Sequence, residues 1–354
     1  MTLGPVVVDI GGVKLTAAER ERLRHPLVGM VILFSRNYSS PEQLGDLCHE
    51  IHSLRDPPLL IAVDHEGGRV QRFRRGFTAL PAMSVLGRIW DRDVLLACRT
   101  ALSVGYVLGA ELRAHGLDLS FAPVLDLDWD RSAVIGDRAL HGDGRVVTLL
   151  AGQICHGLAL AGMSNCGKHF PGHGWAAADS HVDVPVDERG LDEILRTDAA
   201  PYRWLAVGLD AVMPAHVVYP AVDSLPPCFS ARWIGEILRK RLGFCGAVFS
   251  DDLSMQGARV AGDVLASAQA AVAAGCDFVL VCNDSAAADR VLDQLRWSPS
   301  APFLERCARL GPRDGAVAAQ SLIHTARYRQ ALNDLQEAID LDPGAQGEAH
   351  RARA

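Results

Sequence analysis

Eight short and nearly unbroken apolar runs govern what this chain can fold into. They are PVVVDI (5–10), VGMVILF (28–34), LLIAVDHE (59–66), LDLSFAPVLDL (117–127), SNCGKHF (164–170), DAVMPAHVV (210–218), GAVFSDD (246–252) and DFVLVCN (277–283). None alternates cleanly between apolar and polar residues, which is the pattern of strands buried on both faces of a parallel sheet. The segments between them suit amphipathic helices. In SPEQLGDLCHEIHSL (40–54), Ser40 can cap and Pro41 takes the first helical position, while the candidate helices 91–116 and 263–275 each end on a glycine. Eight strands alternating with helices predict an α/β chain folded as a single (β/α)8 barrel of TIM type over residues 1–312. A doubly wound sheet is the rival, but no G-x-G-x-x-G follows the first strand. The length of 354 residues and the 49% hydrophobic content are enough to bury such a core.

Beyond about residue 312 the texture changes. AAQSLIHTARYRQALNDLQEAIDLDP is helix-forming and the rest is small and charged, so residues 313–354 are expected to form a helical extension and a frayed tail. ALNDLQEAIDLDP resembles half of a tetratricopeptide unit, but one half-repeat cannot bury its own face, and no function is assigned to it.

What ends each run is informative. Asp9, Arg36 with Asn37, Asp64, Asp126 with Asp128, Lys168 with His169, His216, Asp251 with Asp252, and Asn283 all fall at the C-terminal ends. In a barrel those ends meet at one mouth, where the chemistry of this fold resides. Turn and cap formation is the competing reason for Asp and Asn there.

Between strands five and six lies KHFPGHGWAAADSHVDVP (168–185), with three histidines and two aspartates in a segment of almost no apolar periodicity. His169, His173, Asp179 and His181 are competent metal ligands, yet Pro171 and Gly172 and the absence of a following Glu rule out the helical H-E-x-x-H geometry. A proton-transfer reading asks less. Asp179 and His181 are two apart in an extended segment, so both point to one side, and an aspartate beside an imidazole makes an acid/base suited to neutral pH. A plain polar loop is the third reading. FSDDLSM supplies a partner: Asp251 and Asp252 should point opposite ways, so that one faces the mouth and the other caps. A carboxylate there, opposite a histidine acid, is the arrangement of a retaining glycosidase.

Several classes are excluded on composition. Net charge is −7 with no Lys/Arg stripe interleaved with aromatics, so no nucleic-acid partner is expected. The nine cysteines are scattered without a C-x-x-C, and they read as small buried hydrophobes in a reducing compartment. The opening run contains Asp9 and lacks a basic n-region, and no later stretch reaches about 18 uninterrupted apolar residues. The expectation is a cytoplasmic protein with no membrane partner, and a monomer for want of an obvious exposed apolar helix.

Taken together, KHFPGHGWAAADSH, FSDDLSM, AVDHEGGRVQRF (62–73) and NCGKHFPGHG resemble the β-N-acetylglucosaminidases of glycoside hydrolase family 3, over about residues 4–300. The likeness is in particular to their single-domain cytoplasmic form from Gram-negative bacteria, which acts in peptidoglycan recycling. The resemblance implies Asp251 as catalytic nucleophile, His181 as acid/base and Asp179 as its dyad partner. It implies Asp64, Arg72, Arg138, Lys168 and His169 as substrate contacts, with ordinary ion pairing as their alternative. The family more often has Gln where this chain has His65. No metal and no cofactor are implied, and the substrate would be N-acetylglucosaminyl anhydro-muropeptides or the corresponding disaccharides. A zinc hydrolase using His169, His173 and His181, a non-catalytic sugar-binding barrel, and a substrate-assisted mechanism are the alternatives.

Overall fold

The computed structural model describes residues 2–176, 185–313 and 316–342. Its strands are β1 (Val6–Val8), β2 (Val28–Leu33), β3 (Leu60–Val63), β4 (His65–Gly67), β5 (Val70–Gln71), β6 (Leu119–Ser120), β7 (Cys166–Phe170), β8 (Ala211–Pro214), β9 (Ala247–Asp252) and β10 (Phe278–Val281). Eight of them form one parallel sheet in the order β6-β3-β2-β1-β10-β9-β8-β7. The two ends of that order meet through isolated parallel bridges, Leu119 with Ser164 and Val124 with Lys168, which close the barrel. Strands adjacent in the barrel follow one another in sequence, apart from the antiparallel hairpin β4–β5 inserted between β3 and β6. The predicted (β/α)8 fold is the observed one.

The continuous apolar runs are explained by where their alternate residues go. Val7, Met30, Ile32, Ala62, Phe249, Phe278 and Leu280 fill the barrel interior. Their neighbours Val6, Val8, Val31, Ile61, Val63, Val248 and Val279 face the helical coat. Each such fully buried aliphatic side chain contributes about 1.5–3 kcal/mol. Phe121, Phe249, Phe278 and Phe303 form an aromatic column, with centroid separations of 5.3, 4.7 and 5.4 Å, that plugs the lower barrel.

The helix Pro41–His52 is capped by Ser40 with Pro41 at its start, and Val264–Ala274 runs from the Asp263 cap to Gly275 in the left-handed region, both as expected. Two expectations need correction. The segment 91–116 is helical only over Val94–Ala114, because Asp93 caps it and a separate helix, Met83–Trp90, precedes it. The run 117–127 makes a continuous ladder only at Leu119–Ser120; beyond it the pairing is the isolated bridge of Val124 with Lys168. Val94–Ala114 is the one described helix long and apolar enough to cross a membrane, and 72% of that stretch is buried against the barrel and its coat. Helices Ala319–Leu322 and Ala326–Leu341 lie in the expected C-terminal extension, and the second packs on Val94–Ala114.

Candidate active site

A cavity of 740 Å³ opens at the C-terminal mouth of the barrel. One wall is ionic. Asp64 directly follows β3, and Glu66 lies two residues on in β4, so both carboxylates leave the chain on one face while His65 turns away. Lys168, in β7, donates to Asp64 Oδ1 at 2.7 Å and pairs with Glu66 Oε1 at 2.6 Å. Arg138 grips Glu66 in a fork, with Nε and one terminal nitrogen each 2.8 Å from a carboxylate oxygen. Arg72, in the turn after β5, approaches Asp64 at 3.8 Å. Burial opposes ionising Glu66, but the Arg138 and Lys168 charges and their hydrogen bonds hold its carboxyl far below the usual range. Burial likewise opposes the Lys168 ammonium, and Asp64 and Glu66 raise it.

Lys168 and His169 both line the cavity although they are consecutive in a strand; the register of β7 against β8 shifts between Lys168 and Phe170 at this point. His169 is fixed from below by Asp126, which is fully buried. Asp126 lies 2.7 Å from His169 Nδ1 and accepts the His173 backbone N–H at 2.7 Å. A carboxylate only accepts, so His169 carries its proton on Nδ1 toward Asp126. Burial works against the Asp126 charge, and the two histidines with the donated N–H groups hold its pKa low.

Opposite the ionic wall stand Asp251 and Asp252, at the end of β9. They were expected to face opposite ways, yet both reach the cavity lining, and their surroundings separate them. Asp252 accepts from Ser254 N and Oγ at 3.0 and 2.8 Å and from Cys282 N at 3.2 Å, which makes it a turn residue. Burial pushes its carboxyl up to about 6. The Asp251 carboxylate accepts the Asp252 N–H at 2.8 Å. Burial pushes the Asp251 pKa up, but the His216 and His169 rings, that N–H and Lys168 together hold it below the usual carboxylate range. Beneath it, His216 Nε2 lies 3.2 Å from the Asp252 carbonyl, which requires a proton on Nε2 and leaves Nδ1 to accept from Cys228 Sγ at 3.4 Å.

The other strand-end residues sort differently from the sequence expectation. Asp126 and His216 lie under the site and do not line it. Asp9 pairs with Arg36 and accepts the Asn283 N–H at 3.0 Å, forming the wall of a separate 410 Å³ pocket. Asn37 is consumed by the Phe34 N–H and the carbonyls of Ile10 and Gly12. Asp128 accepts the Asp130 N–H at 2.9 Å in a tight turn.

Asp179 and His181 lie outside the described residues. The stems on either side belong to the described residues. A Cβ on Gly172 would fall 2.5 Å from Asp198 Cβ, and one on Gly174 would fall 1.9 Å from the Leu127 carbonyl, which explains the glycines of P-G-H-G by close approach. Trp175 stacks against the Arg131 and Arg189 guanidiniums at 4.2 and 4.3 Å. Arg189 in turn pairs with Asp187 and Asp198, each at 2.7 Å.

Among the described residues no three His, Cys, Asp or Glu side chains are grouped to hold a metal ion. Sequence reasoning missed Glu66, the support that Asp126 gives His169, and the Arg189 anchor. Only Glu66 left a signal, its two-residue spacing from Asp64 in AVDHEGG.

The chain is similar to proteins that are already known. A family model described as the glycosyl hydrolase family 3 N terminal domain matches residues 4–309. The chain is 60% identical over 330 residues to a beta-hexosaminidase of Bordetella parapertussis, covering 93% of this chain and 94% of that protein. It is 55% identical over 311 residues to one from Methylobacillus flagellatus, covering 88% and 89%. The crystal structure of NagZ from Neisseria gonorrhoeae in complex with N-trifluoroacetyl-D-glucosamine superposes with a TM-score of 0.90 at 47% identity, covering 96% of this chain and 98% of that one. The chain therefore belongs to glycosyl hydrolase family 3 and is an enzyme of its β-hexosaminidase group.

Proposed function

We propose that the protein is a retaining exo-hydrolase that releases terminal, non-reducing β-linked N-acetylglucosamine from peptidoglycan-derived muropeptides and disaccharides, working as a cytoplasmic monomer without metal or cofactor. The observation that carries this reading is the contrast across the cavity. Asp251 is an ionised carboxylate whose oxygens are engaged only lightly, and it faces a wall of hydroxyl-binding charge built from Asp64, Arg72, Arg138 and Lys168. Such a wall suits a polyol, since each side chain can donate to or accept from a sugar hydroxyl. Asp251 would attack the anomeric carbon as the bond to the leaving oxygen breaks, and His181, oriented by Asp179, would give that oxygen its proton. Water, deprotonated by the same histidine, would then displace the Asp251 carboxylate and release the sugar with its configuration retained.

The engagement of Asp252 by Ser254 and Cys282 supports the covalent route over a substrate-assisted one, because the second carboxylate is not free to orient an acetamide. The bound N-trifluoroacetyl-D-glucosamine of the Neisseria relative supports the choice of an N-acylated sugar. The test is intact mass and peptide mapping after brief exposure to a fluorinated N-acetylglucosaminyl fluoride. One sugar adduct on the peptide containing Asp251 is expected; turnover without any adduct would overturn the covalent mechanism.

A further inference from the structure

The sugar contacts named above leave out the carboxylate that touches two of them. Glu66 is 3% exposed, and its two oxygens take three charge-assisted contacts, two from Arg138 and one from Lys168. We propose that Glu66 is a positioning and specificity-determining residue. It fixes the remaining donors of Lys168 and Arg138 toward the hydroxyls of the bound sugar, and it limits the positive charge of the wall so that the pocket favours an uncharged hexosamine over an anionic one. This inference deepens the reading above and rests on it.

The geometry supplies the first half. The Lys168 ammonium has three N–H donors; Asp64 at 2.7 Å and Glu66 at 2.6 Å take two, so the direction of the third is set by tetrahedral geometry. Arg138 spends Nε and one terminal N–H on Glu66, which fixes the plane of its guanidinium and the aim of the N–H groups left over. Without Glu66 these are long, flexible cations whose ordering would be charged against sugar affinity. Charge supplies the second half. Three cations, Lys168, Arg138 and Arg72, face two carboxylates, Asp64 and Glu66, and Glu66 and Lys168 are nearly inaccessible. With Arg72 also beside Asp64, the wall carries one net positive charge, and loss of the Glu66 charge would leave two, the state that favours an anionic sugar. The alternation of β4 makes the arrangement possible, because it aims Glu66 inward beside Asp64 while His65 packs at 5.8 and 5.9 Å against Phe73 and Phe77.

The test compares inhibition of aryl N-acetylglucosaminide hydrolysis by free N-acetylglucosamine and by N-acetylglucosamine 6-phosphate in wild type, Glu66→Gln and Glu66→Asp, with active sites counted by covalent trapping. For Glu66→Gln the inhibition constant of the neutral sugar should rise about tenfold, the scale of one lost charge-assisted hydrogen bond. The ratio of the phosphate's constant to the neutral sugar's should fall by about tenfold. Glu66→Asp keeps the charge but shortens the reach, so the neutral constant should rise while the ratio stays at the wild-type value. Unchanged constants, or both constants raised by one factor in Glu66→Gln, would overturn the proposal; if that variant does not fold, an unchanged neutral constant in Glu66→Asp does so. Failure of wild type itself to bind N-acetylglucosamine would overturn the functional reading beneath it, which separates the two.

Discussion

Asp126 never meets solvent, yet it holds both histidines that follow Lys168. Its carboxylate receives the His169 ring and backbone N–H groups and the His173 N–H, so His169 faces the cavity in one orientation. Asp126→Asn keeps the shape but loses the charge, and hydrogen bonds to a charged group are worth about 1.5–3 kcal/mol. kcat/KM should fall about tenfold to a hundredfold, checked by steady-state kinetics at a matched count of active sites. Asp252 carries a pH signature instead. Burial, with the Asp251 charge adding to it, pushes its carboxyl up to about 6 against the hydrogen bonds from Ser254 and Cys282, whereas an aspartate in the unfolded chain titrates near 3.8. The folded protein binds this proton more tightly, so the stability it contributes is present below pH 3.8 and is lost as pH rises through about 6. Urea midpoints measured from pH 4 to 7 should decline more steeply in wild type than in Asp252→Asn; parallel curves would show that the shift is absent. Because Asp126 already fixes His169, and the proposed chemistry uses a carboxylate and a histidine alone, dialysis against a chelator should leave turnover unchanged.

At the scale of elements, the stems flanking residues 177–184 are tied to one another. Trp175 on the entering side stacks on Arg189 of the leaving side, and Asp198 accepts from both Arg189 and the Trp129 indole at 2.7 and 2.9 Å. Val186 bridges to Val218, which joins the leaving stem to the segment after β8. Arg189→Met removes the cation from two buried carboxylates, Asp187 and Asp198, and breaking a buried pair in this way costs about 3–5 kcal/mol. Chemical denaturation should show that loss. Substrates with poor leaving groups should suffer more than activated aryl glycosides, because the stems hold the segment that carries His181. Equal losses for the two kinds of substrate would count against His181 as the proton donor.

For the molecule as a whole, the C-terminal helix Ala326–Leu341 covers the apolar helix Val94–Ala114. Tyr328 donates to Glu111 at 2.5 Å and Asp334 accepts from Ser103 at 2.7 Å, around the buried Leu335. Leu335→Ala should cost about 2–5 kcal/mol in a denaturant melt, with kcat/KM of the folded fraction unchanged because no cavity residue lies in that helix. The eight strands, their order and the caps at Ser40 and Gly275 were legible in the chain because they rest on local chemistry and on short unbroken apolar runs, the pattern of strands buried on both faces. So was the nearness of Asp64, Lys168 and Asp251, since a barrel brings strand ends together whatever its loops do. The separation of Asp251 from Asp252 was not legible: both are strand-end aspartates, and they differ only in that Ser254 and the Cys282 N–H reach one of them. The roles of Asp126, Glu66 and Arg189 were hidden for the same reason. Each depends on at least one partner between 9 and 102 positions away in sequence, and a buried charge is decided by which opposite charge folding brings within reach, a distance that no local pattern encodes.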